Sequence, residues 1–464
     1  MDEPTRLPTP RRRRRWLKRI GIAILVIPFL AVAAFGIEWK WTRVAGQRKL
    51  DAVTARLDAE DPGWRFEEIV AAHNAKAKEN TYCTAVEAVK IAKRLPDDDG
   101  SARRAYGRAC SKRLPNESAD DQAMKDLEEY YPDWERPIVS LRGLSGVPSG
   151  RFPIRHADVR DSGFWSENVA GFEKIAFPLS WDAIRSAHLG NANRAVETTT
   201  ASLRVLQAVD FEPFLRPYRV RCRMGESALL TAAQVLAWSS NADDSLLDRL
   251  QNAVLQEADA DTIRSAIRGE RALALHSIKK MDDRSGDRQA TKHIPASQAL
   301  CLEAFTDAMA SLDKPAKERF AAIRQPRHVP TGPVEILAYM HIPDLNDDLV
   351  TAIAYQARCR CTAAGIACER YRIKRNRWPA SLDDLAEFGI PKGLSDPFDG
   401  QTLRYKRMQD GVAVYSISID GIDDGGEVVD PSGYARDLGF RLWNVEARKV
   451  PQPPPPIFDD TQKD

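Results

Sequence analysis

The run from Ile20 to Ile37, IGIAILVIPFLAVAAFGI, carries no charged residue, and no other stretch restricts its surroundings as sharply. At 1.5 Å rise per residue it reaches about 27 Å as a helix, enough to cross a hydrocarbon core of roughly 30 Å. Arg11 to Arg15, Lys18 and Arg19 crowd its N-terminal side, and Trp16 and Trp39 bracket it at interfacial depth. The positive-inside rule then predicts a single-pass signal-anchor in a bacterial inner membrane, N-terminus in the cytoplasm and everything after Trp39 periplasmic. Two alternatives keep the export direction. Ala31-Val32-Ala33 resembles a signal-peptide cleavage site, and Arg13 to Lys18 loosely resembles a twin-arginine signal. A buried helix of a soluble domain fits the basic flank least well.

A chain of 464 residues exceeds one ordinary domain, so two or three units are expected. Lys and Arg total 68 against 66 Asp and Glu, a net charge of +2 that offers no global field for nucleic acid. Seven cysteines follow the anchor: Cys83, Cys110, Cys222, Cys301, Cys359, Cys361 and Cys368. In an oxidising compartment some should pair; Cys83 with Cys110, in one early helical region, is the expected bridge, and the odd count leaves a thiol over. Cys359, Cys361 and Cys368 lack the paired spacing of zinc knuckles, and Cys361 and Cys368 stand two helical turns, about 10 Å, apart, too far to bond each other.

The expected class is mainly α. A basic segment (1–19) and the transmembrane anchor (20–37) lead into early helices (38–114), an irregular connection (115–165), an α-helical bundle or solenoid-like domain (166–345), a small α+β module (346–435) and a Pro-rich tail (436–464). The helical signal is strongest in the middle, where Ala192, Val196, Thr199, Leu203 and Leu206 form one apolar stripe. No repeat of fixed period appears. Prolines at 115, 132, 137, 148 and 153 predict the irregular connection, packed through the aromatics of EYYPDWERP.

In the C-terminal module a long helix from about Asp347 to Asn376 precedes a short helix capped by Ser381 with Asp384 three residues on. Strands at Thr402 to Met408 and Val412 to Ile419 flank Asp410-Gly411, a strong hairpin signal, with Ala413, Tyr415, Ile417 and Ile419 expected against the helix. The order of RYRIKRNRWPASLDDL, DPFDGQTLRY and VYSISIDGIDDGG resembles the globular half of the type II secretion major pseudopilin, over roughly Ala352 to Asp430. The resemblance implies a calcium-binding acidic loop. Ser416 and Asp420 take the family's Ser and first Asp, with Asp423, Asp424, Glu427 and Asp430 as further oxygen donors. Ser418 stands where the family has Gly, and one residue is inserted before Gly425-Gly426. About three hundred residues separate the hydrophobic helix from this module, so a borrowed fold rather than a filament subunit is expected.

No catalytic constellation stands out. His73, His156, His188, His276, His293, His328 and His341 are dispersed, without a metal-binding pair. Glu270, between Arg268 and Arg271, and Glu226 are expected as ion-pairing residues, Glu226 within its own helix. The sequence therefore points to a membrane-anchored, non-catalytic interaction protein with an unidentified protein partner. An extracytoplasmic hydrolase with its site in the helical domain and a divergent secretion-system component are the alternatives.

Overall fold

The computed structural model describes residues 10–78, 84–95, 114–144, 167–209, 213–259, 261–284, 291–324, 329–428 and 436–450, with short described pieces between 96 and 166. It is mainly helical with a small antiparallel sheet. The early helices are α1 (Pro10–Glu60), α2 (Phe66–Lys78), α3 (Thr84–Ala92), α4 (Asp121–Glu128) and α5 (Tyr131–Gly143). A two-stranded ribbon, β1 (Val159–Arg160) and β2 (Gly163–Phe164), precedes α6 (Glu167–His188), α7 (Ala192–Val209), α8 (Leu215–Trp238), α9 (Asp244–Asp259) and α10 (Thr262–Arg284). Then come α11 (Ile294–Ser311), α12 (Ala316–Ile323), α13 (Pro333–Tyr339) and α14 (Leu345–Arg375), followed by a 3-10 helix and the sheet β3 (Arg404–Met408), β4 (Gly411–Ser416) and β5 (Leu438–Trp443).

The chain divides into two compact units, with boundaries inside α10 and α11. The first comprises the chain up to Gly63, Leu273–Ala304 and His328–Pro343. Within it Arg43 of α1 donates to Asp282 at 2.8 Å and to the Thr291 carbonyl at 2.7 Å, and Lys292 pairs with Glu38 at 2.8 Å. Gly46 lets α1 approach Ala296 so closely that a Cβ there would stand 2.8 Å from its backbone nitrogen.

From Ile24 to Ile37 the same helix presents Ile24, Val26, Ile27, Phe29, Leu30, Val32, Phe35 and Ile37 as exposed side chains. At 100° per residue Ile24, Val26, Ile27, Phe29, Leu30 and Val32 point around the full circumference, so no face between Ile24 and Val32 is covered by protein. Among the described residues no helix is long and apolar enough to cross a membrane. The expected span starts at Ile20 to Ile22, whose side chains, like that of Leu25, lie outside the described residues.

The second unit holds Trp64–Ala272, Phe305–Arg327 and the chain from Asp344 onward. Here α6, α7 and α8 pack on one another, α9 packs on α7, and α14 packs on both α8 and α9, a bundle rather than a linear array. Two helices occupy part of the stretch expected to be irregular. In α5, Pro132 falls in the first turn, where a missing N–H costs nothing, and the aromatics bury as expected: Trp134 stands edge-on to Trp181 of α6 at 5.3 Å. Asp120 caps α4 by accepting from the Ala123 amide at 2.7 Å.

Helix α14 is the spine of this unit. Its N-terminus is capped by Asp344, and it stops at Asn376, left-handed at φ 53°. From Cys359 to Cys368 it is almost wholly buried, because helices line one side and the sheet the other. Gly365 permits that sheet contact; a Cβ there would lie 2.3 Å from the Phe440 ring.

The sheet order is β3-β4-β5, with β4 central and buried throughout. The hairpin turn is as expected, Met408 facing Gly411, but the face is not. Phe440 pairs with Val414 and meets Gly365, so Val412 and Val414 face the helix while Ala413 and Tyr415 point away; Ile419 lies beyond the strand, half exposed. Part of the expected tail is structured as well: β5 supplies the third strand, and Val450 bonds Ser118 and Asn116. Residues 451–464 lie outside the described residues.

Candidate functional site

Two groups of carboxylates are candidates. The first is the acidic loop after β4. Ser416 is fully buried and turns inward, donating its Oγ to Asp396 at 2.8 Å; Asp396 also accepts from the Ile417 amide and from Arg404 at 2.6 Å. Arg404 bridges onward to Asp399 at 2.5 Å and lies 3.9 Å from Asp423. Burial pushes the Asp399 carboxyl up, but the bonds from Arg404 and the Gln401 amide outweigh it and leave the group below the usual range. Asp420 and Asp423 each bend back to an amide two residues on, Ile422 at 3.1 Å and Gly425 at 2.9 Å. Arg436 stands 3.5 Å from Asp424 and 3.8 Å from Glu427. Ser418 adopts φ 62°, the left-handed backbone that suits a glycine.

Asp437, unremarked in the sequence, accepts from the Gly426 amide at 2.7 Å and ties the loop to β5. Burial raises its pKa, the Gly426 and Asp424 amides oppose the rise, and the charges of Asp423 and Asp424 add to it. As arranged, the described carboxylates of the loop serve amides and arginines rather than one centre. Among the described residues no group of three or more His, Cys, Asp or Glu side chains is placed to hold a metal ion. Asp430 lies outside the described residues.

The second group lies among α8, α9, α10, α12 and α14, all within the second unit. Glu257 of α9 is buried; its Oε2 accepts from Arg221 at 2.7 Å and from the Tyr355 hydroxyl at 3.2 Å, while its Oε1 has no partner. Tyr218 and Tyr355 have their pKa values raised, by burial first and then by neighbouring thiol and carboxylate charge. Glu257, Tyr218 and Tyr355 line a cavity of 210 Å3, together with Asp259, Arg264, Gln356 and Arg319 of α12. Arg264 is committed to Asp261 and Asp313, at 3.0 and 2.7 Å. Arg319 donates one Nη to the Pro397 carbonyl at 3.0 Å and leaves its buried Nε without a partner. Burial lowers its pKa, and Arg360 adds repulsion.

The remaining sequence candidates are structural. Glu226 reaches Arg358 of α14 at 2.7 Å rather than a partner within its own helix. Burial raises its pKa against that attraction. Glu270 accepts from the Leu215 amide at 3.1 Å and so serves the first turn of α8. Cys222, Cys301, Cys359, Cys361 and Cys368 are buried thiols outside any disulfide, with Cys222 pushed up to about 12 by burial; Cys83 and Cys110 lie outside the described residues. Glu257 did leave a trace in the sequence, since it follows Leu250 and Val254 on one apolar stripe, where a carboxylate must find a partner. Arg319 left none.

No family model, curated protein or solved structure matches the chain.

Proposed function

We propose that the chain is a membrane-anchored binding protein whose bulk lies outside the cytoplasmic membrane. The observation that carries this reading is the all-round exposure of apolar side chains on α1 between Ile24 and Val32. A helix apolar on every side needs either a protein core or a bilayer around it, and burying each such side chain is worth about 1.5–3 kcal/mol. The flanking Arg11 to Arg15 set the direction, N-terminus inside. The helical bundle and the pseudopilin-like sheet then form the exported part, which offers surfaces to a protein partner.

The test is alkaline extraction of membranes from bacteria that produce the tagged chain, together with protease treatment of spheroplasts. The protein should stay with the membrane and lose its C-terminal tag to external protease. Release into the alkaline supernatant, or a protected C-terminus, would sink the anchor. Crosslinking before purification addresses the binding role, and failure to recover any reproducible partner would count against it.

A further inference from the structure

We propose that the segment 329–342, which contains α13, lies on the lipid surface beside the exit of α1, with Ile336 and Met340 set among the headgroups as a second membrane contact. The proposal rests on the membrane reading of α1 and adds a contact which that reading does not require.

The segment reads VPTGPVEILAYMHI and holds no Lys or Arg. Its one carboxylate, Glu335, accepts from the Thr331 amide at 2.7 Å and the Thr331 hydroxyl at 3.2 Å, and His341 turns its Nδ1 to the Leu337 carbonyl at 3.1 Å. At 100° per residue Pro333, Ile336 and Met340 share one face of α13 and its C-cap, while Val334 and Ala338 share the opposite one. The second face is packed: Ala338 is buried, and the Val334 carbonyl accepts from Ser297 of α11 at 2.8 Å. The first stands open, with Ile336 51% and Met340 71% exposed. Outside α1, Met340 and Val329, 74% exposed, are the two most exposed large apolar side chains among the described residues. Single exposed apolar residues are ordinary, but three within twelve residues, with no charge on the face of α13 that carries two of them, make an uncovered patch.

The height of this patch along α1 selects lipid as its partner. The uncharged run of about 27 Å falls slightly short of a hydrocarbon core of roughly 30 Å, so the core ends near Trp39 and a headgroup layer of about 5–8 Å ends near Val44. Trp41 and Val44 are both exposed, as an aromatic anchor and its neighbour in that layer should be. Gly46, two residues beyond Val44, packs against Ala296, and the next residue, Ser297, holds Val334. All of these residues belong to the first unit. Helix α13 is thereby held at about the height of the headgroup boundary, where a helix with an apolar edge settles on the membrane.

The test uses the full chain reconstituted in vesicles of phosphatidylethanolamine and phosphatidylglycerol, with one nitrobenzoxadiazole label on Met340→Cys or on Ile27→Cys. Five of the native thiols are buried, and the unsubstituted protein supplies the labelling blank. Iodide quenches the label from water, and lipids with a nitroxide near the top of the acyl chain quench it from the bilayer. The Ile27→Cys label should be closed to iodide. The Met340→Cys label should be quenched by the nitroxide lipid, and by iodide about threefold less than the same label on glutathione. Full iodide access at Met340→Cys with none at Ile27→Cys would overturn the surface contact and leave the anchor standing. A Met340→Cys label closed to iodide but untouched by the nitroxide lipid would put protein, such as a second copy of the chain, on this face and overturn the proposal as well. Iodide access at Ile27→Cys would remove the anchor and this contact together.

Discussion

The acidic loop and the interior of α14 use the same residue types to opposite ends. Around Asp420 to Glu427 carboxylates sit close together in sequence, stay near solvent and satisfy turn amides or the exposed Arg436. Around α14 the partners are distant in sequence and buried: Arg448 grips Glu369 with two bonds of 2.8 and 2.7 Å, and both side chains are nearly inaccessible. Arg219, itself exposed, clasps the buried Asp348 with two bonds as well, at 2.6 and 2.7 Å. Density of charge in the sequence marks a surface here, whereas single charges on apolar stripes mark the joints of the fold.

The contrast breaks most visibly at Arg448. Arg448→Ala should cost about 3–5 kcal/mol in chemical denaturation, because Glu369 would remain buried with only Arg372 beside it. A cost below about 1 kcal/mol would show that water reaches this pair and that the two regions differ less than their burial suggests.

A smaller effect should appear at Glu270. Burial raises its pKa above the usual carboxylate range, against the Leu215 amide and Arg219. A raised folded-state value means a contribution fully present below the unfolded pKa of about 4.3 and lost as pH rises through the folded value. Glu270→Gln keeps an acceptor for Leu215 and removes that loss, so the variant should gain on the order of 1 kcal/mol over wild type at pH 7 and nothing near pH 4. Denaturation midpoints at the two pH values measure this; an equal shift at both would assign the gain to packing.

The smallest effect belongs to the loop. Asp423→Asn should change stability by about 0–1 kcal/mol, and adding calcium and then chelator to the full chain should move the melting midpoint by no more than about 1–2 °C. A rise of many degrees with calcium would place Asp430 and its neighbours in a cation site and make the loop resemble the interior after all.

Much of this architecture was legible in the sequence because it is local. Periodic stripes gave α7 and α9, Asp410-Gly411 gave the β3-β4 turn, and Ser381 with Asp384 marked the short helix, which closes as a 3-10 turn with Asp384 accepting from the Ala380 and Ser381 amides. What escaped depends on contacts across the chain. The helix-facing side of β4 was misassigned because both faces are buried, so alternation carries no signal. The third strand was hidden because LGFRLW lies beside a proline tail. The Glu257 cavity joins residues from five helices, and no spacing within one helix reveals such a meeting.

The late arrival of β5 also governs how the protein can fail. Until Leu438 to Trp443 leaves the ribosome, β4 is an edge: a largely apolar strand with one row of amides and carbonyls unclaimed. A message that stopped short of those six residues would do more than remove a strand, because it would leave a template on which successive copies of the chain can pair. A strand made late is thus the one that covers the buried edge of β4.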